Sequence, residues 1–411
     1  MRHVPRHLRG RCPHSGRRFK GQHRPVHRNR GSGRRGHTGR RGTVPQEALS
    51  STDKPYKPLS TFFPRHIQEG SETDRTPKIV IGIALLTAAT LLCILLDLSW
   101  IDARHGYTFS EVIDTLTGGG TWGSRIIILD TNAPRVVAGL FVGAGLAVTG
   151  CAMQALFRNP LASPYILGLS SGASVGAAAS LLFVIPFIPT TIVTPFLAFV
   201  MCFATMMLVY NMARVGGSVR TESLILSGVA VSSLLSAVVS LLTFIAGDKM
   251  EGIVFWAMGN LGNASWDEIW FMAPIIVVCS VLLLTQSKAL NAMMLGDIHA
   301  MDLGIDVKRT RLFILILSTV IVAAAVSFVG VIGFIGLVIP HVLRIILGPD
   351  NRTIMPLSMI GGAAFITICD YLAHIVIPAY GTLPIGVITA LIGAPIFIFL
   401  LIRRKKEVGW N

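Results

Sequence analysis

The sequence predicts an all-α, polytopic membrane protein with about ten transmembrane helices and both termini in the cytoplasm. Three observations predict it. The chain is 52% hydrophobic and 14% charged, against roughly 25% charged in a typical soluble domain, which excludes an ordinary soluble enzyme. Apolar runs near the length that crosses a bilayer recur from residue 79 to the C-terminus. Positive charge also gathers in alternate loops, which sets the orientation.

The charge divides the chain into two parts. Residues 1–78 hold 19 of the 36 Lys and Arg and carry a net charge of +14. Residues 79–411 carry a net charge of +1. The first part is a low-complexity basic arm with stretches such as Arg34-Arg35-Gly36-His37. It has almost nothing to bury and is expected to be disordered. Three readings stand for it: nucleic-acid binding through phosphate neutralisation, attraction to anionic lipid, or a start codon placed too far upstream. An RNA-binding tract interleaves aromatics for stacking, and the first 55 residues hold only Phe19. That argues against nucleic acid. The arm also lacks the apolar segment and small-residue cleavage site of a signal peptide.

The expected spans, in order, are 79–96, 133–156, 165–185, 191–212, 222–246, 270–286, 312–329, 330–347, 355–377 and 384–402. The seventh and eighth run together through Gly330. With the N-terminus inside, the inner loops and tail carry 13 Lys and Arg and the outer loops four. The second and third spans are dense in small residues. Gly139 and Gly143 lie on one helix face, as do Gly168, Gly172 and Gly176. Such a face either packs tightly within one subunit or borders a pathway. Between these spans, Gln154 to Pro164 contains Asn159, Pro160 and a second proline, a short rigid cytoplasmic turn.

The residues that would carry other chemistries are absent from the sequence. There is no G-x-x-x-x-G-K-[ST] phosphate loop and no H-E-x-x-H pair. Asp370 is the sole carboxylate expected well inside a span, and a lone buried Asp is ordinarily a structural hydrogen-bond partner. The six cysteines share no metal-type spacing. No metal ligands and no cofactor are therefore expected in this chain. The inner segment 287–311 is 25 residues long and reads as two short helices broken at glycines. Its Met294, Leu295, Ile298, Met301 and Leu303 would either offer apolar knobs to a partner or lie on the bilayer surface.

These residues resemble the FecCD family, the membrane subunits of ABC importers for iron chelates, haem and cobalamin. The matching pieces are Pro134-Arg135, Gly150-x-x-x-Gln154, Asn159-Pro160-Leu161-Ala162-x-Pro164 and Leu167-Gly168-x-Ser170-x-Gly172-Ala173. Further matches are Ser227-Gly228-Val229-Ala230, Phe255-Trp256-x-x-Gly259 and Leu295-Gly296-Asp297-x-x-Ala300-x-x-Leu303-Gly304. The longest runs from Gly333-Phe334-Ile335-Gly336 to Pro340-His341-x-x-Arg344, followed by Leu383-Pro384-Ile385-Gly386 and Gly393-Ala394-Pro395.

The resemblance covers residues 79–405 and implies a ten-helix permease at the cell membrane. It implies pairing with a second permease subunit as a homodimer, with two cytoplasmic ATPase subunits that bind ATP and Mg. An extracytoplasmic binding protein would deliver the ligand. Leu295, Gly296, Asp297, His299, Ala300, Leu303 and Gly304 would form the surface that couples to the ATPases. Arg135, with His374 where a second arginine is common, would dock the binding protein. Asn132 and Thr382 also depart from the family's charged pattern, which implies a less charged docking surface and weaker electrostatic steering. An iron siderophore is the expected cargo, with haem and cobalamin as alternatives. An ion-gradient-driven secondary transporter is the alternative class, but it would need buried titratable pairs near the midplane.

Overall fold

A computed structural model of the chain describes residues 72–100, 106–183, 186–215, 218–376 and 382–408. The chain divides into one unit over Met1–Phe63 and a second over Pro64–Asn411. The readings made for residues 1–71 lie outside the described residues.

Helix α1 (Glu72–Ser99) starts seven residues before the expected edge, and its apolar part is Val80–Ser99. A short amphipathic helix, α2 (Phe109–Leu116), follows on the outer side. It is fixed at its start by a capping box in which Thr108 and Glu111 satisfy each other's backbone N–H. The next apolar run, Trp122–Leu156, is 35 residues long. It comprises α3 (Trp122–Arg125), a π-helical stretch (Ile126–Asn132) and α4 (Ala133–Leu156). The wide turn has a local cause. Pro134 has no N–H to give the carbonyl four residues back, and its ring crowds that carbonyl. The Ala133 N–H bonds to Ile128 instead, five residues back.

A 3₁₀ turn (Pro164–Leu167) leads into α5 (Leu169–Leu182), and α6 (Thr190–Ala213) returns. A hairpin of two-residue strands, β1 (Arg214–Val215) and β2 (Ser218–Val219), turns the chain into α7 (Thr221–Ile245). Then come α8 (Met250–Ala257), α9 (Trp266–Thr285), α10 (Ser287–Leu295), α11 (Asp297–Asp302), α12 (Val307–Val329), α13 (Ile335–Leu347), α14 (Asn351–Ile375) and α15 (Ile385–Val408).

Among the described residues, eight of the apolar helices are long enough to cross a membrane. The third and eighth expected spans are shorter than read from the sequence, at 14 residues in α5 and 13 in α13. At 1.5 Å per residue, α13 covers about 20 Å, less than the roughly 30 Å hydrocarbon core. The remaining depth is crossed by non-helical backbone. Residues 258–261, 329–334 and 383–386 meet in a belt within the bundle. Asn260 N–H donates to Val329 O at 2.8 Å, and Ile385 and Gly386 N–H donate to Gly259 and Met258 carbonyls at 3.1 Å. Tyr165 Oη closes the belt by donating to Ile332 O at 2.8 Å. Irregular backbone survives at membrane depth only when protein satisfies it in this way.

The centre of the bundle is α4, with 78% of its apolar window buried against 6% for α1 on the rim. Helices α14, α13, α9 and α12 pack around it. Small residues allow this approach. A Cβ on Gly143 would lie 2.3 Å from Gly362 O on α14, and one on Gly150 would lie 1.8 Å from Gly336 O on α13.

Candidate functional site

The chemistry-bearing residues gather at the two ends of the bundle and along one groove. The inner end holds the α10–α11 pair. Gly296 at φ +131° separates the two helices, and Gly304 at φ +81° ends the segment. Only glycine adopts such angles without strain. Ala300 is fully buried against the bundle. Leu295, Ile298, Met301 and Leu303 are more than half exposed, and His299 stands out beside them. The result is an apolar ridge on a held base, and the two-helix reading of 287–311 holds.

Asp297 is paired within the chain while about 40% of its side chain stays exposed. Arg158, at the end of the α4 turn, donates through Nη2 to Asp297 Oδ1 and through Nε to Met293 O at 2.7 Å. Arg311 of α12 donates to Asp297 Oδ2 at 2.9 Å and to Val219 O at 2.6 Å. One carboxylate thus joins α11 to the central helix and to α12. The sequence showed Arg158 and Arg311 only as loop charge. Their pairing needed the third dimension.

A second network braces the same end. Arg344 donates to Asn351 Oδ1 at 2.7 Å, Cys151 O at 3.1 Å and Pro349 O at 3.3 Å. Asn351 is tied to Asn291 of α10 at 2.8 Å. Asp350 caps α14. Partial burial pushes its carboxyl up, but the Arg352 N–H, the Asn291 amide and the Arg352 charge together hold it below the usual carboxylate range. Removing Arg344 takes the strong hydrogen bond from the buried Asn351 Oδ1 and loosens the tie to α4, so Arg344→Met should cost about 2 kcal/mol. Thermal unfolding of the purified chain in detergent checks this, and an unchanged midpoint would contradict it.

At the outer end, Arg135 and His374 are only 6% and 4% exposed. This corrects their expected place on an open docking surface. Arg135 Nε donates to Asp370 Oδ2 at 2.9 Å, and its Nη2 lies 3.7 Å from Asp97 Oδ1. Asp370 is therefore not a lone carboxylate. Asp97, at the end of α1, is fully buried beside it. The sequence reading cut the first span at residue 96 and missed Asp97 by one position. Asn132 donates to the Leu98 and Trp100 carbonyls at 3.2 and 2.7 Å, closing the end of α1.

The glycine stripes resolve to packing. Gly139 meets Leu261 and Ile366, Gly172 meets Thr205, and Gly176 meets the Leu197 carbonyl. Gly168 takes φ +78° at the start of α5. Gln154 is buried and donates to Leu337 O at 3.0 Å, holding α13 to α4. Asn159 accepts from the Leu161 N–H at 3.0 Å across Pro160, a rigid turn as expected. What borders open space is instead a serine-lined groove of about 340 Å³. Ser170, Ser171 and Ser174 of α5 face Ser236 and Ser240 of α7 across it.

The FecCD transport family matches residues 89–403 of this chain. The chain belongs to the FecCD family. It is 41% identical over 286 residues to the cobalamin import system permease protein BtuC of Halobacterium salinarum, covering 69% of this chain and 75% of that one. It is 35% identical over 336 residues to the hemin transport system permease protein HmuU of Yersinia pestis, covering 80% and 97%. A protein assigned to the metal-chelate type of ABC transporter, solved in an inward-facing conformation, superposes with a TM-score of 0.69. It shares 31% identity, covering 80% of this chain and 99% of that one. This FecCD chain is thus a multi-pass cell-membrane permease subunit of an ABC importer and not itself an enzyme. The gradient-driven alternative falls with that membership.

Proposed function

We propose that two copies of this FecCD permease enclose a pathway for a bulky metal chelate. ATPase subunits dock under the α10–α11 ridge, and a binding protein docks at the outer end. The observation that carries the reading is the ridge itself. Four large apolar side chains stand exposed at the end where positive loop charge concentrates. They stand on a base held by Asp297. That is a rigid surface for a cytoplasmic partner. ATP and Mg belong to that partner.

The serine groove supports the pathway. Hydroxyls facing lipid gain nothing, whereas facing water or a second subunit they find partners. Two such grooves facing each other would give a weakly polar wall, suited to a pre-chelated cargo that brings its own ligands. The relatives are named for cobalamin and hemin, so a corrinoid is the first cargo to test. The expected siderophore becomes a parallel arm.

The test reconstitutes the chain in lipid vesicles with its ATPase and binding protein. ATP-dependent uptake is measured for labelled cobalamin, hemin and a ferric siderophore. Uptake of one chelate, lost when any component is omitted, is the expected result. Failure to form a stable complex with an ATPase would overturn the coupling role of the ridge.

A further inference from the structure

The outer-end cluster gathers two carboxylates and an imidazole around one guanidinium. Asp97, Asp370 and His374 come from two helices, and their nearest donor atoms all lie within 4.8 Å of one another. All three are at least 95% buried. Arg135 is the one cation among the described residues that reaches them. Two carboxylates beside one guanidinium in a low-dielectric interior are costly unless a proton or a bound cation compensates them.

The hydrogen-bonding pattern leaves ligand atoms open here. Among the described residues, neither oxygen of Asp97 receives a hydrogen bond, and His374 Nε2 has no hydrogen-bond partner. Thr382 Oγ1 lies 3.3 Å from His374 Nδ1 and holds the other edge of the ring. The Trp100 ring packs on the imidazole with centroids 5.6 Å apart. Asp370 gives Oδ2 to Arg135. Ligand atoms thus converge from an imidazole and two carboxylates, with the imidazole oriented from behind as in built metal sites. The C-terminal ends of α1 and α14 add their negative helix-dipole ends to the same point.

We propose that Asp97, Asp370 and His374 form a buried site for one divalent transition-metal cation, separate from the transport pathway. The donor set of nitrogen and oxygen without sulfur suits zinc or a neighbouring first-row ion. Such ions hold their ligands at about 2.0–2.2 Å in a tetrahedral array, so neighbouring ligands stand about 3.4 Å apart. At its widest the trio needs a contraction of about 1.4 Å to close on an ion, within reach of side-chain torsions. Bound there, the ion would staple the ends of α1 and α14 beside the start of α4.

The probe is Zn²⁺, added to the full-length chain purified in detergent and stripped with a chelator. The basic arm contains seven histidines and Cys12 and will bind some metal of its own, so the readouts are chosen to see past it. At one equivalent, X-ray absorption should show a nitrogen/oxygen shell with a single imidazole and no sulfur. Zn²⁺ should raise the unfolding temperature of the wild type. Asp97→Asn and His374→Gln should each lose that rise together with one bound equivalent. Arg135→Met should tighten binding, because it removes a cation that repels the ion. A shell with sulfur or several imidazoles would overturn the site, even if the variants fail to fold. So would an unfolding temperature that Zn²⁺ shifts equally in wild type and Asp97→Asn. Stability that follows pH with no response to Zn²⁺ would assign the missing charge to a proton and also overturn it.

Discussion

Replacing Gly150 with valine should leave almost no folded permease. The position is the tightest crossing in the bundle. A Cβ there would lie 1.8 Å from the Gly336 carbonyl oxygen and 2.4 Å from its Cα. Both neighbours are backbone, so no side chain can rotate away. The helices must separate, and α4 is the helix on which α13 and α14 both rest. Overpacking of this kind exceeds about 4 kcal/mol, a large share of the roughly 5–15 kcal/mol that holds a domain folded. Alanine at the same place already carries the clashing atom and should be severe as well. Gly252 on α8 is the control. Nothing lies within 4 Å of its Cβ position, so Gly252→Ala should be neutral or slightly stabilising through helix propensity. Size-exclusion profiles of detergent-solubilised variants read the outcome. A monodisperse Gly150→Val peak with an unchanged unfolding midpoint would show that α13 is not seated where the structure puts it.

Much of the architecture was legible because the bilayer imposes simple rules. Length and hydropathy located every long helix, since a span must satisfy its backbone internally. The same rules could not describe the belt near Gly259, Gly330 and Ile385. Its hydrogen bonds join residues more than 50 positions apart, and local sequence carries no sign of them. The glycine spacing named the right face of α4 but not its use, because tight packing and a pathway wall ask for the same small residues. The outer end was misread for a related reason. Arginine near a span edge suggests an exposed docking charge, yet Arg135 turns inward. Its partners Asp97 and Asp370 arrive from helices distant in sequence. The ridge on 287–311 was legible as a pattern of apolar knobs. Which of its residues faces in and which faces out was not, and Leu290, Met293 and Ala300 are among those that face in.

The role of Asp297 gives the second large effect. Asp297→Arg should abolish uptake while the helical bundle remains folded. The carboxylate is bonded by Arg158 and Arg311 at once, so a cation there sets three positive charges together where one negative charge had joined two. Arg158 also holds a left-handed backbone conformation at φ +50°. That conformation costs a non-glycine residue about 1–2 kcal/mol, and its bonds to Asp297 and Met293 hold it in place. Losing them frees the turn after α4, and α11 then moves independently of the central helix. Movement of an ATPase under the ridge would no longer reach the bundle, because a coupled change requires both parts to share one rigid contact. The folded state should survive, since the Asp297–Arg158 pair is about 40% exposed and exposed pairs contribute little to stability, while the buried Arg311 keeps its bond to Val219 O. ATP hydrolysis should therefore continue in the reconstituted complex, no longer tied to transport. Asp297→Asn keeps hydrogen-bond acceptance on one side without the charge and should retain part of the uptake. Full transport by Asp297→Arg would show that the joint at Asp297 carries no coupling, whereas loss of the folded chain would show that it is structural.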